Sequence, residues 1–314
     1  MCDLPIRVLA WELTRRCPMA CKHCRGASRD ESYCQELTTQ ECFRVIESLH
    51  TIQAHPLIIF TGGEPMYRPD LEAIVSYAAT RGFPCVLAPC GRFATKERLL
   101  SLKVAGIRAL SISIDGPDAA SHDTFRGVPG AFDFACQALQ AAHSIELPFQ
   151  INHCVTRNSL TSLRQMRNFA FQHGATRIDY FFLVPIGRGE AIAQQCLTQE
   201  ETETALQTIL DLDAEGTLPV HVTCEPSVLS IAEKRRLPPH SRFNGCMAGA
   251  GFCFLSHVGQ LRPCGFFPEN GGDLHHFDFD LPKTYLSSPL FAQLHGGRAC
   301  LARALAQSTP RFHV

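Results

Sequence analysis

Cys17-Pro18-Met19-Ala20-Cys21-Lys22-His23-Cys24 is the stretch that decides how this chain is read. Its three cysteines stand at C-x3-C-x2-C spacing, just after the apolar run from Val8 to Leu13. Such a run reads as a strand, so the thiols fall in the loop at its end. Three thiolates can hold three irons of a cubane [4Fe–4S] cluster and leave the fourth iron without a protein ligand. An open metal position is where a substrate or cofactor binds. Two-cluster ferredoxins use a different run, with two-residue gaps and a fourth cysteine before proline. Two plainer readings compete: a zinc knot that recruits His23, and thiols with no joint role.

Working outward, the next signal is Thr61-Gly62-Gly63-Glu64-Pro65, directly after Leu57-Ile58-Ile59-Phe60. Two glycines let a backbone approach its neighbour closely, and Pro65 stiffens the exit. Alone this is an ordinary strand-to-helix turn. Together, the cysteine triplet and this glycine turn resemble the radical S-adenosylmethionine (radical SAM) superfamily. The resemblance implies that Cys17, Cys21 and Cys24 bind a [4Fe–4S] cluster whose open iron chelates SAM. It also implies that Gly62, Gly63, Glu64 and Pro65 serve the SAM amino group.

A chain of 314 residues can bury a large core, with one large domain plus a smaller module as the expectation. The formal net charge of −1 offers no basic surface for nucleic acid. No apolar run approaches the ~18 residues of a membrane span, and no signal-peptide pattern opens the sequence, so the expected location is cytoplasmic. Sixteen cysteines without an export signal point to metal or redox use rather than disulfides. Several, such as Cys42, Cys136 and Cys196, fall in helix-like stretches and read as plain packing residues.

Strand-like runs at Val8–Leu13, Leu57–Phe60, Cys85–Ala88, Ala109–Ile114, Phe149–Val155 and Ile178–Val184 alternate with helical patterns. Most are near-continuous apolar runs, as in parallel strands buried on both faces. Thr38-x-x-Glu41 and Thr198-x-x-Glu201 read as capping boxes that open two of the helices. Others are expected after Asp70, Thr95, Gly130 and Leu160. The pattern is α/β with a mostly parallel sheet. The superfamily resemblance makes it a partial (β/α)6 TIM-like barrel over residues 1–220, open on one side. In barrels the chemistry sits at the C-terminal strand ends, where both motifs fall. Later strand ends offer Ser113 and Asp115, Arg126, and Val184 followed by Arg188. The resemblance implies SAM contacts for Ser113, Asp115, Arg126 and Val184. Arg126 and Arg188 are also candidates for carboxylates.

After residue 220 the rhythm stops. Gly259 sits between two short apolar runs, as in a hairpin. Cysteines on both sides of a hairpin can hold a second metal site, and SPASM and twitch radical SAM proteins place auxiliary cluster ligands around such a hairpin. Residues 221–314 are therefore expected to be a shortened SPASM- or twitch-like region. Its auxiliary cluster would rest on Cys246, Cys253, Cys264 and Cys300.

The wording of Ala10–Cys17, Ile59–Met66, His122–Phe132 and Gly251–Phe254 further resembles the haem-biosynthesis branch, which holds AhbC-, AhbD- and NirJ-like enzymes. The resemblance implies a 5′-deoxyadenosyl radical that modifies side chains of an iron-tetrapyrrole. The reaction is either deacetylation of didecarboxysiroheme, to which the overall wording leans, or decarboxylation of iron-coproporphyrin III. It implies a low-potential electron donor such as flavodoxin or ferredoxin. His122 and His153 are candidates for the substrate iron. Two departures stand out: Cys90 replaces a usual Asn, and only Cys300 follows Cys264 where relatives carry a dense cysteine run. A peptide-modifying SPASM maturase and a non-catalytic iron–sulfur electron carrier are the alternatives.

Overall fold

Alternate residues of the first strand, β1 (Val8–Glu12), have two destinations. Leu9 and Trp11 pack into the main hydrophobic core, and Ala10 and Glu12 point to the other face of the sheet. The same division recurs in every parallel strand and builds one covered face and one concave, more polar face. The structure is a computed structural model that describes residues 4–52, 55–237, 243, 245–294 and 296–308.

The chain continues through α1 (Thr39–Leu49), β2 (Leu57–Thr61), α2 (Leu71–Thr80), β3 (Cys85–Leu87), α3 (Lys96–Ala105) and β4 (Ile107–Ser113). Two helices then follow in succession, α4 (Ala119–Arg126) and α5 (Ala131–Ser144), before β5 (Phe149–Val155). Next come α6 (Leu163–Gln172), β6 (Arg177–Phe182), α7 (Gln199–Ala214), β7 (Val220–Thr223) and α8 (Val228–Lys234). The remainder holds β8 (Phe252–Leu255), β9 (Gln260–Arg262), β10 (Gly272–Asp273), α9 (Leu281–Leu286), α10 (Pro289–Ala292) and α11 (Leu301–Ser308).

Both expected capping boxes form. Thr38 N donates to Glu41 Oε2 at 2.7 Å and Glu41 N to Thr38 Oγ1 at 3.3 Å. Thr198 and Glu201 repeat the exchange at the start of α7 at 2.7 and 3.1 Å. Asp70, Thr95 and Gly130 precede α2, α3 and α5 as expected, whereas a 3-10 turn over Arg157–Ser162 delays α6. Arg126, expected among the groups that follow the fourth strand, lies in the last turn of α4.

The strands form one sheet in the order β10-β9-β8-β1-β2-β3-β4-β5-β6-β7. Neighbours from β1 to β7 are all parallel. The two ends of this order do not pair, so the partial barrel stays open. Two features extend the expected core of six strands. β7 adds a seventh parallel strand beside β6. The hairpin β8–β9 joins the other side, with β8 parallel to β1 and β9 antiparallel to β8. Register places Ser113, Asn152, Asp179 and His221 in one row across the concave face.

One buried side chain locks the opening of this barrel. Arg68 Nη1 donates to the carbonyls of Leu13 at 3.2 Å and Leu37 at 2.8 Å, and its Nη2 meets Asp70 Oδ2 at 2.6 Å. It ties the exit of β1 to the segment before α1 and to the start of α2. Replacing Arg68 with Met leaves two carbonyls and a carboxylate short of partners. The expected cost is about 2–4 kcal/mol in urea unfolding of the metal-free protein. An unchanged midpoint would contradict this role.

Candidate active site at the strand ends

Main-chain pairing between β1 and β2 runs past both strands and delivers the cysteine loop. Leu13 N donates to Thr61 O at 2.9 Å, Gly63 N to Thr14 O at 2.7 Å and Glu64 N to Arg16 O at 2.8 Å. A Cβ at Gly62 would collide with the Thr14 carbonyl, and one at Gly63 with the carbonyls of Arg15 and Arg16. The glycines are thus required for backbone-to-backbone contact immediately before Cys17. From the other side, Ala20 N donates to Arg126 O at 3.2 Å and Lys22 N to Phe125 O at 3.0 Å. Arg188 closes the third side, its Nε donating to Cys21 O at 2.8 Å and its Nη1 to Ser28 O at 2.6 Å. Arg188 is therefore occupied by the loop's own carbonyls.

Cys17, Cys21 and Cys24 are free and gather with Met19 and Ala131 in a small apolar group, flanked by Cys90 and Val128. Among the described residues, no three His, Cys, Asp or Glu side chains form a site for a metal ion. The thiolate ligands of a cubane each hold a different iron and need adjacency rather than convergence on one point. Burial pushes the Cys17 thiol up to about 12 and raises Cys21 as well. Their protons therefore leave when metal binds, not before. His23, the candidate for a zinc knot, is stacked on Phe125 at 4.6 Å between ring centroids. Burial lowers its pKa to about 4, so the ring is neutral near pH 7.

Beside the thiols, a cavity of about 150 Å³ opens at the ends of β4, β5 and β6. His23, Ser113, Asp115, Arg126, Asn152 and Val184 supply part of its wall, and Phe266 reaches it from the segment after β9. Asp115 and Arg126 form its charged element. Their carboxylate and guanidinium meet at 2.6 Å, Cys154 N donates to Asp115 Oδ1 at 2.8 Å, and Arg126 Nη1 points to Cys21 Sγ at 3.6 Å. Burial opposes ionisation of Asp115, yet Arg126, His23 and His122 outweigh it and hold the carboxyl well below its usual range. Arg126 thus places a fixed positive charge against the Cys21 sulfur.

Glu64 lies away from solvent, accepting from Met66 N at 2.9 Å and Cys90 N at 2.6 Å, with Pro65 starting a short 3-10 turn. Its carboxylate fixes the turn and the Cys90 backbone. His122 Nδ1 accepts from Asp115 N at 3.0 Å, and His153 Nδ1 lies 3.0 Å from Ile114 O. Neither histidine lines the cavity.

A second group of thiols lies beyond β7 and β9. Cys224, at φ 65° just after β7, hydrogen bonds Cys300, and Cys246 and Cys264 lie within electrostatic range of Cys300. The Cys224 interaction lowers Cys300 to about 7, and it raises Cys224 together with burial. Cys253 stands apart. It lies on β8 in the main core near Tyr285, and burial alone raises its thiol pKa. Of the expected auxiliary set, Cys246 and Cys264 lie within electrostatic range of Cys300 and Cys253 does not, whereas Cys224, outside that set, hydrogen bonds Cys300. The sequence carried only a weak sign of this: Cys224 ends a short alternating run, Val220-His221-Val222-Thr223.

Glu12 centres the remaining polar cluster, at the other side of the cysteine loop. Its carboxylate meets Arg25 Nη2 at 3.0 Å, Arg15 Nη2 at 3.3 Å and His257 Nδ1 at 2.7 Å. Burial, the largest single influence, pushes its pKa up. Arg25, His257 and Arg15 together overcome it and bring the pKa down to about 2.

The family model of the Radical SAM superfamily matches residues 11–169. AdoMet-dependent heme synthase of Nitratidesulfovibrio vulgaris is 36% identical over 298 residues, spanning 91% of this chain and 80% of that protein. Fe-coproporphyrin III synthase of Methanosarcina barkeri is 30% identical over 204 residues, spanning 65% of this chain and 51% of that protein. Among solved structures, Streptococcus suis SuiB bound to its precursor peptide SuiA is 14% identical, with TM-score 0.75 over 92% of this chain and 66% of that one. The chain belongs to the radical SAM superfamily. It is accordingly a SAM-dependent iron–sulfur enzyme, with a [4Fe–4S] cluster and SAM as its cofactors. Among the described residues, no helix is long and apolar enough to cross a membrane.

The depressed Glu12 pKa gives a signed pH dependence. Its stabilisation is complete above the usual carboxyl value of 4.5 and is lost as pH falls toward 2, worth about 3 kcal/mol in all. Through that interval the melting temperature of the wild type should fall more steeply than that of Glu12→Gln. Parallel curves would contradict the pairing.

Proposed function

We propose that this enzyme modifies the side chains of an iron-tetrapyrrole in haem synthesis, and that its reaction is the oxidative decarboxylation of propionates. The observation that carries the radical SAM part is the assembly of three free thiols beside a charged cavity at the strand ends. The haem part rests on relatives. The heme synthase aligns over far more of this chain than the Fe-coproporphyrin III synthase, 91% against 65%. That reverses the sequence wording's lean toward the deacetylating reaction. The likeness to SuiB supports the fold and carries no peptide substrate with it.

Cys17, Cys21 and Cys24 hold the cluster in this reading, and when bound the cluster and SAM supply a carbon-centred radical that takes a hydrogen from the substrate. The protein's own residues position and shield. Gly62 and Gly63 let the β2 exit grip the backbone before Cys17. Arg126, fixed by Asp115, offsets negative charge at Cys21. His23 stays neutral beside the cavity, and Phe266 adds an apolar side to its wall. Water excluded here would otherwise compete for the reactive species. A low-potential donor of the flavodoxin or ferredoxin class would supply the electron for SAM cleavage, and the electron released when the substrate radical loses carbon dioxide would pass to an acceptor of the iron–sulfur class. Cys224, Cys246, Cys264 and Cys300 are proposed to hold one auxiliary [4Fe–4S] cluster.

Anaerobic reconstitution with SAM, dithionite and iron-coproporphyrin III tests the reaction. The expected products are 5′-deoxyadenosine and a tetrapyrrole lacking carbon dioxide and a pair of hydrogens per reacted side chain. Deoxyadenosine formed with the tetrapyrrole intact, or change in didecarboxysiroheme alone, would overturn the decarboxylation reading. Iron counting tests the second site. Cys224→Ala should lose about four irons per chain, whereas Cys253→Ala should keep them all. The reverse pattern would remove Cys224 from the ligand set.

A further inference from the structure

Glu12 pairs with the guanidiniums of Arg15 and Arg25, and Arg262 lies within electrostatic range of all three. Arg262 makes no salt bridge at all among the described residues. Its Nη2 donates to Gln260 Oε1 at 3.0 Å. Its pKa is lowered first by burial and then by the neighbouring charge of Arg15, with Arg25 adding to it. Two buried donors have no acceptor, Nε of Arg15 and Nε of Arg262. Leaving such donors unmatched costs free energy, and packing like charges together adds to that cost. A core built only for stability would have little reason to carry this surplus.

The position of the cluster matters as much as its charge. Glu12 ends β1 on the concave face, and Arg262 lies on β9 opposite Phe254, whose ring Arg25 covers at 4.0 Å. Arg25 directly follows the cysteine loop. Gly265 packs on it so closely that a Cβ there would come within 2.9 Å of Arg25 Nε. The next residue, Phe266, lines the cavity beside Asp115 and Arg126. The segment Gly265–Phe266 thus touches both Arg25 and the cavity wall. Arg15 and Arg25 keep 30% and 19% of their side chains exposed, so an anion can reach them. The two arginines suggested by sequence for this task are tied to the cysteine loop, Arg126 paired with Asp115 and Arg188 donating to main-chain carbonyls, although each keeps one buried donor unmatched.

We propose that Arg15, Arg25 and Arg262 form a cradle for the carboxylates of the substrate, so that Glu12 holds the guanidiniums in place and a carboxylate of the tetrapyrrole supplies the missing negative charge. This rests on the tetrapyrrole reading above. Guanidinium forks match carboxylates in a paired geometry that fixes orientation as well as affinity. Holding one edge of the flat substrate at this wall would present another edge to the cavity.

Equilibrium binding tests the cradle without any radical chemistry. Metal-free coproporphyrin III and its tetramethyl ester, in the same detergent, are titrated against wild type, Arg262→Gln and Arg15→Gln, following porphyrin fluorescence. Arg262 has no ion pair to lose, so Arg262→Gln is expected to fold, and a thermal melt checks this. The cradle predicts that wild type prefers the tetra-acid over the ester. Each variant should bind the tetra-acid about tenfold more weakly and leave ester binding unchanged. If wild type binds both porphyrins and the variants bind the tetra-acid as tightly as wild type, the cradle is wrong and the tetrapyrrole reading stands. If wild type binds neither porphyrin, both are wrong.

Discussion

The close backbone contact between the exit of β1 and the glycine turn after β2 governs everything built at this end of the barrel. The carbonyls of Thr14, Arg15 and Arg16 occupy the space that side chains at Gly62 and Gly63 would need. Two main-chain hydrogen bonds, Gly63 to Thr14 and Glu64 to Arg16, hold that contact. It fixes where the chain leaves the sheet and hence where Cys17 begins its loop. The end of α4 grips the loop at Ala20 and Lys22, and Arg188 at Cys21 and Ser28. The three thiols are brought together by backbone held on three sides. Such preorganisation spares a bound group the cost of ordering its own ligands.

Charge is then arranged around groups whose burial disfavours ionisation. Cys17 and Cys21 are pushed toward the neutral thiol, so metal must displace their protons. Arg126 counters at Cys21, and Asp115 keeps Arg126 in position. Glu12 organises the opposite wall with an excess of guanidinium around it. Both walls thus pair one buried carboxylate with arginine, and each keeps guanidinium donors unmet, Arg126 Nε on the first and the Nε of Arg15 and Arg262 on the second. The second wall differs in gathering more guanidiniums than carboxylates.

Much of this was legible in the residues, for physical reasons that differ from place to place. The thiol triplet and the two capping boxes are local patterns, with all their partners within a few positions, and local patterns survive in a bare sequence. The parallel core showed in apolar runs. β7 escaped notice because it is short and alternating. The helix α4 was hidden because Ala119–Arg126 is mostly polar and reads as loop, and this concealed that Arg126 turns inward. Cys224 could not be paired with Cys300 by spacing, because the fold of the whole C-terminal part brings them together. Cys253 looked equivalent to Cys246 and Cys264, but strand alternation on β8 turns it into the core. Arg15 and Arg25 flank the cysteine loop, while Arg262 lies on β9, far away in sequence. The pairing of β8 with β1 and of β9 with β8 brings Arg262 to the other two.

The central claim is that Cys17, Cys21 and Cys24 hold a cluster with one iron open to SAM. Electron paramagnetic resonance of the reduced cluster, in a chain whose Cys224, Cys246, Cys264 and Cys300 are replaced by Ala, tests it most directly. The account predicts a [4Fe–4S] signal whose g-values shift when SAM is added. A signal unchanged by SAM, or a protein that binds no iron–sulfur cluster at all, would contradict it.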